Sequence, residues 1–261
     1  MDQLCMHRLW FLLVSKATTA DKTGGDPAKR LGALAGLALA IGGKEYQHNY
    51  KRGLWKRHLL FDLLWFIQSG HTTRPQEPHS PSWLWAAVSG AVSQQLMIDE
   101  KGFTGKRHVI VHTATVISGP ESAEAADEGL LVLKCPVLRA VNLTNAESHY
   151  YTVEVQSAHG GVQARFAPDT VDFDQCRDFV VAEIVREVVY EPGGQDRVSE
   201  VWSNGLVLRQ VREYRGSGGP RIVFMRVGRF WMRWPVYWSS FLRGVAEEDR
   251  VFGNGIPIRV V

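Results

Sequence analysis

The feature that most limits how this chain can fold is a change of period. Up to about residue 68 the apolar residues recur at helical spacing; beyond residues 70–82, which hold Pro75, Pro78 and Pro81, they recur as they do in strands. Leu9, Leu12 and Leu13 predict a short first helix, with a polar loop at 18–26. Asp26-Pro27 reads as the start of a second helix, Asp26 as N-cap and Pro27 in the first helical position. Leu31, Leu34, Ala35, Ala38 and Leu39 continue it and Gly42-Gly43 ends it. Its small residues Gly32, Ala33, Ala35 and Gly36 predict close packing on a neighbour, and a third helix is predicted over 59–68.

Residues 106–117 are rich in Val, Ile and Thr, as strands are. Pro136 makes 130–143 an edge, bulged or broken strand. Segments 150–156 and 162–166 flank Ser157-Ala158-His159-Gly160-Gly161, a hairpin signature. Residues 179–190 fit a helical face by spacing, but their β-branched content favours a strand. Segments 205–211 and 221–229 flank a glycine-rich turn, and 256–261 supply a closing strand. The expected class is α+β: a short helical amino-terminal part, then a β-rich part forming an antiparallel sheet or partial barrel. The expected divisions are 1–74 helical, 75–105 a Pro/Trp-rich crossover, and 106–261 the β-rich domain.

Charge and cysteine narrow the function classes. The net charge of +3 divides unevenly: residues 101–200 carry 9 Lys/Arg against 15 Asp/Glu, and residues 201–261 carry 10 against 4. The basic end is mostly arginine (Arg209, Arg212, Arg215, Arg221, Arg226, Arg229, Arg233), read as stems covering apolar strands with their heads in solvent. No named nucleic-acid motif accompanies them, so no nucleic acid is expected. Cys5, Cys135 and Cys176 are widely spaced with no C-x-x-C pair, which argues against a zinc ribbon and for a reducing compartment. The apolar runs 9–14, 31–41 and 59–67 fall short of the roughly 20 residues that span a bilayer. A cytoplasmic chain without a membrane span or leader is expected.

The chemical constellations are sparse. Asp169, Asp172, Asp174 and Asp178 form an acidic run, but counted from Asp172 as a calcium loop, Arg177 stands where glycine is required and Glu183 falls at position twelve. A solvated acidic turn is the expectation. His108 and His112 would share an ion only on a helix; on a strand they lie roughly 13 Å apart. No G-x-S-x-G, Walker or H-E-x-x-H segment occurs, and no enzyme, metal or cofactor is expected. Trp83 and Trp85, two apart in an extended segment, point the same way and are expected to pin the crossover into the core. Pro235 and the surrounding arginines suggest that Arg229, Trp231, Arg233, Trp234, Tyr237 and Trp238 form an exposed binding surface for a protein. The alternative is a glycan-binding or glycan-acting β-domain stacking sugars on Trp231, Trp234 and Trp238, with Glu247, Glu248 and Asp249 the carboxylates nearby.

One ordered series carries a resemblance. Gly53-Leu54-Trp55, then Leu63-Leu64-Trp65, then Arg74-Pro75, then Pro81-Ser82-Trp83-Leu84-Trp85-Ala86-Ala87-Val88-Ser89-Gly90 follow one another. The series resembles the region downstream of the HET domain in fungal heterokaryon-incompatibility proteins. There, G-L-W, L-L-W and P-S-W-S-W-A-S segments occur in that order. Arg30–Ala38 is similar to that family's D-R-L-x-A-L-x-G-I-A helix, and Gly205-Leu206-Val207-Leu208 with Val227-Gly228-Arg229-Phe230 fits its carboxyl end loosely. Leu84 and Ala87 stand where the family usually has serine. The segments that mark the HET domain itself do not occur in these residues. The resemblance therefore implies a region carboxyl-terminal to that domain, as a fragment, a truncated relative or a stand-alone module. It also implies a setting of non-self recognition and cell death, with Gly53, Leu54, Trp55, Trp65, Pro81, Ser82, Trp83, Trp85, Ala86 and Gly90 as scaffold.

Overall fold

A computed structural model describes residues 3–20, 27–43, 46–67, 72–74, 80–94, 107–118, 130–145, 150–157, 160–170, 173, 179–191, 197–216, 219–235 and 257–261. The amino-terminal part holds α1 (Gln3–Ala20), α2 (Pro27–Gly42), two single-turn helices α3 (Tyr46–Asn49) and α4 (Leu59–Asp62), and the short strands β1 (Tyr50–Lys51), β2 (Leu54–Trp55), β3 (Trp65–Ile67) and β4 (Val92–Gln94). Then come β5 (Arg107–His112), β6 (Thr115–Ser118), β7 (Leu131–Lys134), β8 (Val137–Asn145), β9 (Tyr151–Ser157), β10 (Gly160–Pro168), β11 (Phe179–Tyr190), β12 (Val198–Gly216), β13 (Gly219–Trp234) and β14 (Ile258–Val260). This is the expected α+β order. No helix among the described residues is long and apolar enough to cross a membrane.

Six strands close on themselves. The antiparallel meander β8–β9–β10 joins the meander β11–β12–β13 through β8–β11 at one side and β10–β13 at the other. The result is a small antiparallel barrel, whose interior holds Val155, Ala164, Phe166, Phe173, Phe179, Val181, Val207, Phe230 and Met232. Closure removes the unpaired edges that an open sheet would present. Beyond the barrel the long strands run on: β14 lies parallel to β13 and carries β7 and β6, while β5 pairs with β11 beyond the point where β8 leaves it.

A second core lies on the outer side of these strands. Trp10, Val14, Leu34 and Ala38 of the helices join Leu54, Leu63, Trp65, Trp83 and Trp85 with Leu133, Ile184, Leu206, Phe224 and Val260 of the sheet. The helices and the crossover are therefore packed on the barrel wall and its extension.

Several expectations change. The helix expected over 59–68 is one turn only. The Asp62 carboxylate, wholly buried, accepts the Trp55 N–H at 2.9 Å, and Trp65–Ile67 pairs instead with Val92–Gln94. Tertiary pairing outweighs local propensity here. The first helix is longer than expected, running through Thr18, whose hydroxyl donates to the Val14 carbonyl and accepts the Val92 N–H. Gly32, Ala33 and Gly36 face away from the neighbour they were expected to meet; α2 packs through Leu34 and Ala38. Pro136 separates β7 from β8, residues 179–190 are a strand, and Gly160 pairs with Ser157 in the expected hairpin. Asp26 lies outside the described residues.

Candidate functional site

The resembled segments converge. Arg52 and Gly53 both take positive φ (49° and 90°) in the two-residue turn between β1 and β2, the left-handed geometry that glycine accommodates. The turn presents the Gly53 carbonyl inward, where it accepts the indole N–H of Trp10 at 3.3 Å and of Trp85 at 3.2 Å. Leu54 is buried and Trp55 half-buried, its ring edge-on to Trp10 and Tyr50. The Trp65 indole donates to the Trp83 carbonyl at 3.0 Å. Trp83 and Trp85 are fully buried, as expected of a scaffold, but the segment is a tight turn and not extended, because the Leu84 N–H closes on the Pro81 carbonyl. Ala86 is buried beside them, and Gly90 lies against Thr72.

Arg226 of β13 ties this unit to the barrel. Its side chain is wholly buried and stacks 3.5 Å from the Trp65 ring centroid. Its guanidinium donates to Asp169 at 3.0 and 3.2 Å and to the carbonyls of Leu63 and Trp65. Its own N–H reaches Ser82 Oγ, and its carbonyl accepts from Arg74. Burial pulls the Arg226 pKa below its ordinary value, and the Asp169 charge opposes that pull. Two expectations fail here. Asp169 is not a solvated turn residue, and Arg226 does not carry its head to solvent. An ion pair satisfied on all sides can be buried where a lone charge cannot.

The expected binding surface divides along the period of β13. Arg229, Trp231 and Arg233 point to the outer side, Phe230, Met232 and Trp234 into the barrel. Trp234 is therefore not exposed: it is 4% accessible, and its indole donates to Ser203 Oγ at 2.7 Å. Ser203 donates in turn to Glu183, whose two carboxylate oxygens accept from Nε and Nη2 of Arg186 at 2.8 and 2.7 Å. That use of Glu183 removes it from any calcium loop; Asp172, Asp174 and Asp178, like Tyr237, Trp238 and the three carboxylates at 247–249, lie outside the described residues.

Arg229 is also buried, against the expectation. It donates to the Asn204 side-chain oxygen at 2.9 Å, while the Asn204 amide donates to Glu187 at 2.7 Å. Its guanidinium lies 5.4 Å from the Phe66 ring and 5.8 Å from Trp231. Trp231, half-buried, meets Tyr150 edge-on at 5.2 Å, with exposed Arg165 opposite on β10. Directly across β12, Trp202 faces Arg233; both meet Glu200, at 3.0 Å from the indole and 3.6 Å from the guanidinium. The accessible remnant of the predicted surface is thus exposed Arg233 and half-buried Trp231, joined by half-buried Trp202 and Tyr150 and exposed Arg165 and supported by the Glu187–Asn204–Arg229 chain. Charged residues inside the apolar run 179–190 were the signal for that chain; Trp202 carried none.

Among the described residues no group of three His, Cys, Asp or Glu side chains is placed to hold a metal. His108 and His112 sit four apart on β5, opposite Val189 and Val185. Compared with protein-family models, curated proteins and solved structures, the chain has no significant match.

Proposed function

We propose that this chain is a non-catalytic, cytoplasmic recognition region of the heterokaryon-incompatibility type, binding a protein partner on the outer face of β12 and β13 around Trp202, Trp231 and Arg233. The observation that carries the reading is the convergence of the G-L-W, L-L-W and P-S-W-L-W segments. Residues far apart in sequence, met in the order that the resembled family has them, are bonded to one another and to the strand that bears the surface. Such a scaffold holds the half-buried Trp231 and exposed Arg233 in place, and aromatic and arginine side chains dominate the energetics of protein interfaces. With Trp234 inside the barrel, the stacking platform of the glycan alternative loses one of its three members.

The test is expression of the chain in an incompatible fungal strain pair, scored for cell death, beside a Trp231→Ala/Arg233→Glu variant. Wild type changes the death response and co-purifies with one partner; the variant folds and does neither. An unchanged response with wild type, and no partner recovered, overturns the proposal.

A further inference from the structure

Among the described residues, strand β5 is paired along one edge only. It pairs antiparallel with β11 from Val185↔His112 to Tyr190↔Arg107, and among the described residues no strand lies on its other side. Natural edge strands are commonly blunted by Lys, Pro, a bulge or inward charge. Between His108 and His112 none of these occurs; the residues are His, Val, Ile, Val, His. Val109 and Val111 are 36% and 43% accessible, while Ile110 on the opposite side is half-buried against the helical core.

The sequence of this edge reads the same in both directions about Ile110. An antiparallel pair formed with an identical strand on a two-fold axis through Ile110 therefore sets like against like: Ile110 faces Ile110, Val109 faces Val111, and His108 faces His112. A two-fold perpendicular to the sheet keeps the two sides of the sheet distinct, so the exposed valines of both copies fall on one side and cover each other. Opposed β-branched residues are favourable cross-strand pairs. A self-complementary patch of this kind generates a closed dimer and not an open chain of copies.

We propose that β5 is a self-association edge, through which two copies of this chain pair antiparallel in the register centred on Ile110. Five residue pairs make a small interface, so the association is concentration-dependent and of the weak, transient class. It uses a different strand from the recognition surface and stands or falls independently of it.

Sedimentation equilibrium of the purified chain, from about 1 to about 500 μM, reads the monomer–dimer balance directly. Two double variants then read the register. Val109→Lys/Val111→Lys sets lysine against lysine across the axis and weakens dimerisation at least about tenfold. Val109→Glu/Val111→Lys sets the new glutamate of one copy against the new lysine of the other and restores it. Both changes are at exposed positions, and circular dichroism with thermal unfolding verifies the fold of each. If the first variant does not fold, the second still decides between registers. The proposal is overturned if wild type stays monomeric throughout, if it forms open-ended assemblies, if the lysine pair dimerises as well as wild type, or if the Glu/Lys pair fails to dimerise while wild type does.

Discussion

Arg226 shows how one side chain can organise a protein of this size. It reaches Asp169, the carbonyls of Leu63 and Trp65, and Ser82, so three separate segments depend on its position. Arg226→Met leaves the Asp169 carboxylate buried without its main counter-charge, and loss of one partner of a buried pair costs about 3–5 kcal/mol. Urea unfolding is expected to show that loss, with the double variant Arg226→Met/Asp169→Asn recovering part of it. Cys135 gives a second test at this scale. Burial, with the Glu183 charge adding to it, pushes its thiol up to about 12 from an ordinary 9.0. The folded state thus prefers the neutral thiol, and alkylation at pH 8 is expected to be slow until the protein is unfolded. The sign for stability follows. The contribution is fully present below pH 9 and is lost as pH rises from there toward 12, where the unfolded state ionises first. Neither role was legible in the sequence, because an arginine or cysteine in a strand-like run looks the same whether its neighbours are water or a carboxylate dozens of residues away.

Elements were easier to read than residues where the local signals agreed. Pro27 and Gly42-Gly43 bounded α2, Pro136 divided two strands, and Gly160 marked a hairpin, because each constrains its own backbone. The departure at 59–68 has the opposite cause: nothing local says that Asp62 will cap the Trp55 backbone and release Trp65 to its strand partner Gln94. Glycine gives predictions of opposite sign in two elements. Gly32 and Gly36 on α2 have open space where a Cβ would stand, so Gly32→Ala and Gly36→Ala each stabilise by roughly 0.5–1 kcal/mol. Gly205 in β12 would set a Cβ 2.0 Å from the Ala182 carbonyl oxygen and 2.7 Å from the Phe230 ring, and Gly205→Ala destabilises by roughly 1–3 kcal/mol or more. Denaturant midpoints of the three variants check both signs together. The predicted surface was half legible for a related reason. A period of two separates Trp231 and Arg233 from Trp234, whereas residue type alone makes the three one cluster.

At the scale of the whole molecule, the two cores share the strands β11, β12 and β13 as their common wall: Ile184, Leu206 and Leu208 face the helices, while Val181, Val207 and Phe230 face the barrel interior. Loss of either core strips one side of that wall. Tryptophan fluorescence, dominated by the helical side, and far-UV circular dichroism, dominated by the strands, are therefore expected to report one coincident unfolding transition. Two separated transitions would show that the wall survives with one side bare.

The contacts of Arg226 and Ser82 also set a clock. Arg226 bonds to residues 161 and 163 positions away in the chain, and Ser82 donates to the Val261 carbonyl across 179. Bringing such distant partners together costs chain entropy before any contact rewards it, so proteins dominated by non-local pairing fold in milliseconds to seconds. The tryptophan-rich crossover emerges first during synthesis, yet the side chains that complete its surroundings lie on β13 and at Val261. Until they arrive, the indoles of Trp65, Trp83 and Trp85 have no finished core to enter, and the newly made amino-terminal third presents its most apolar surface at the moment it can least bury it.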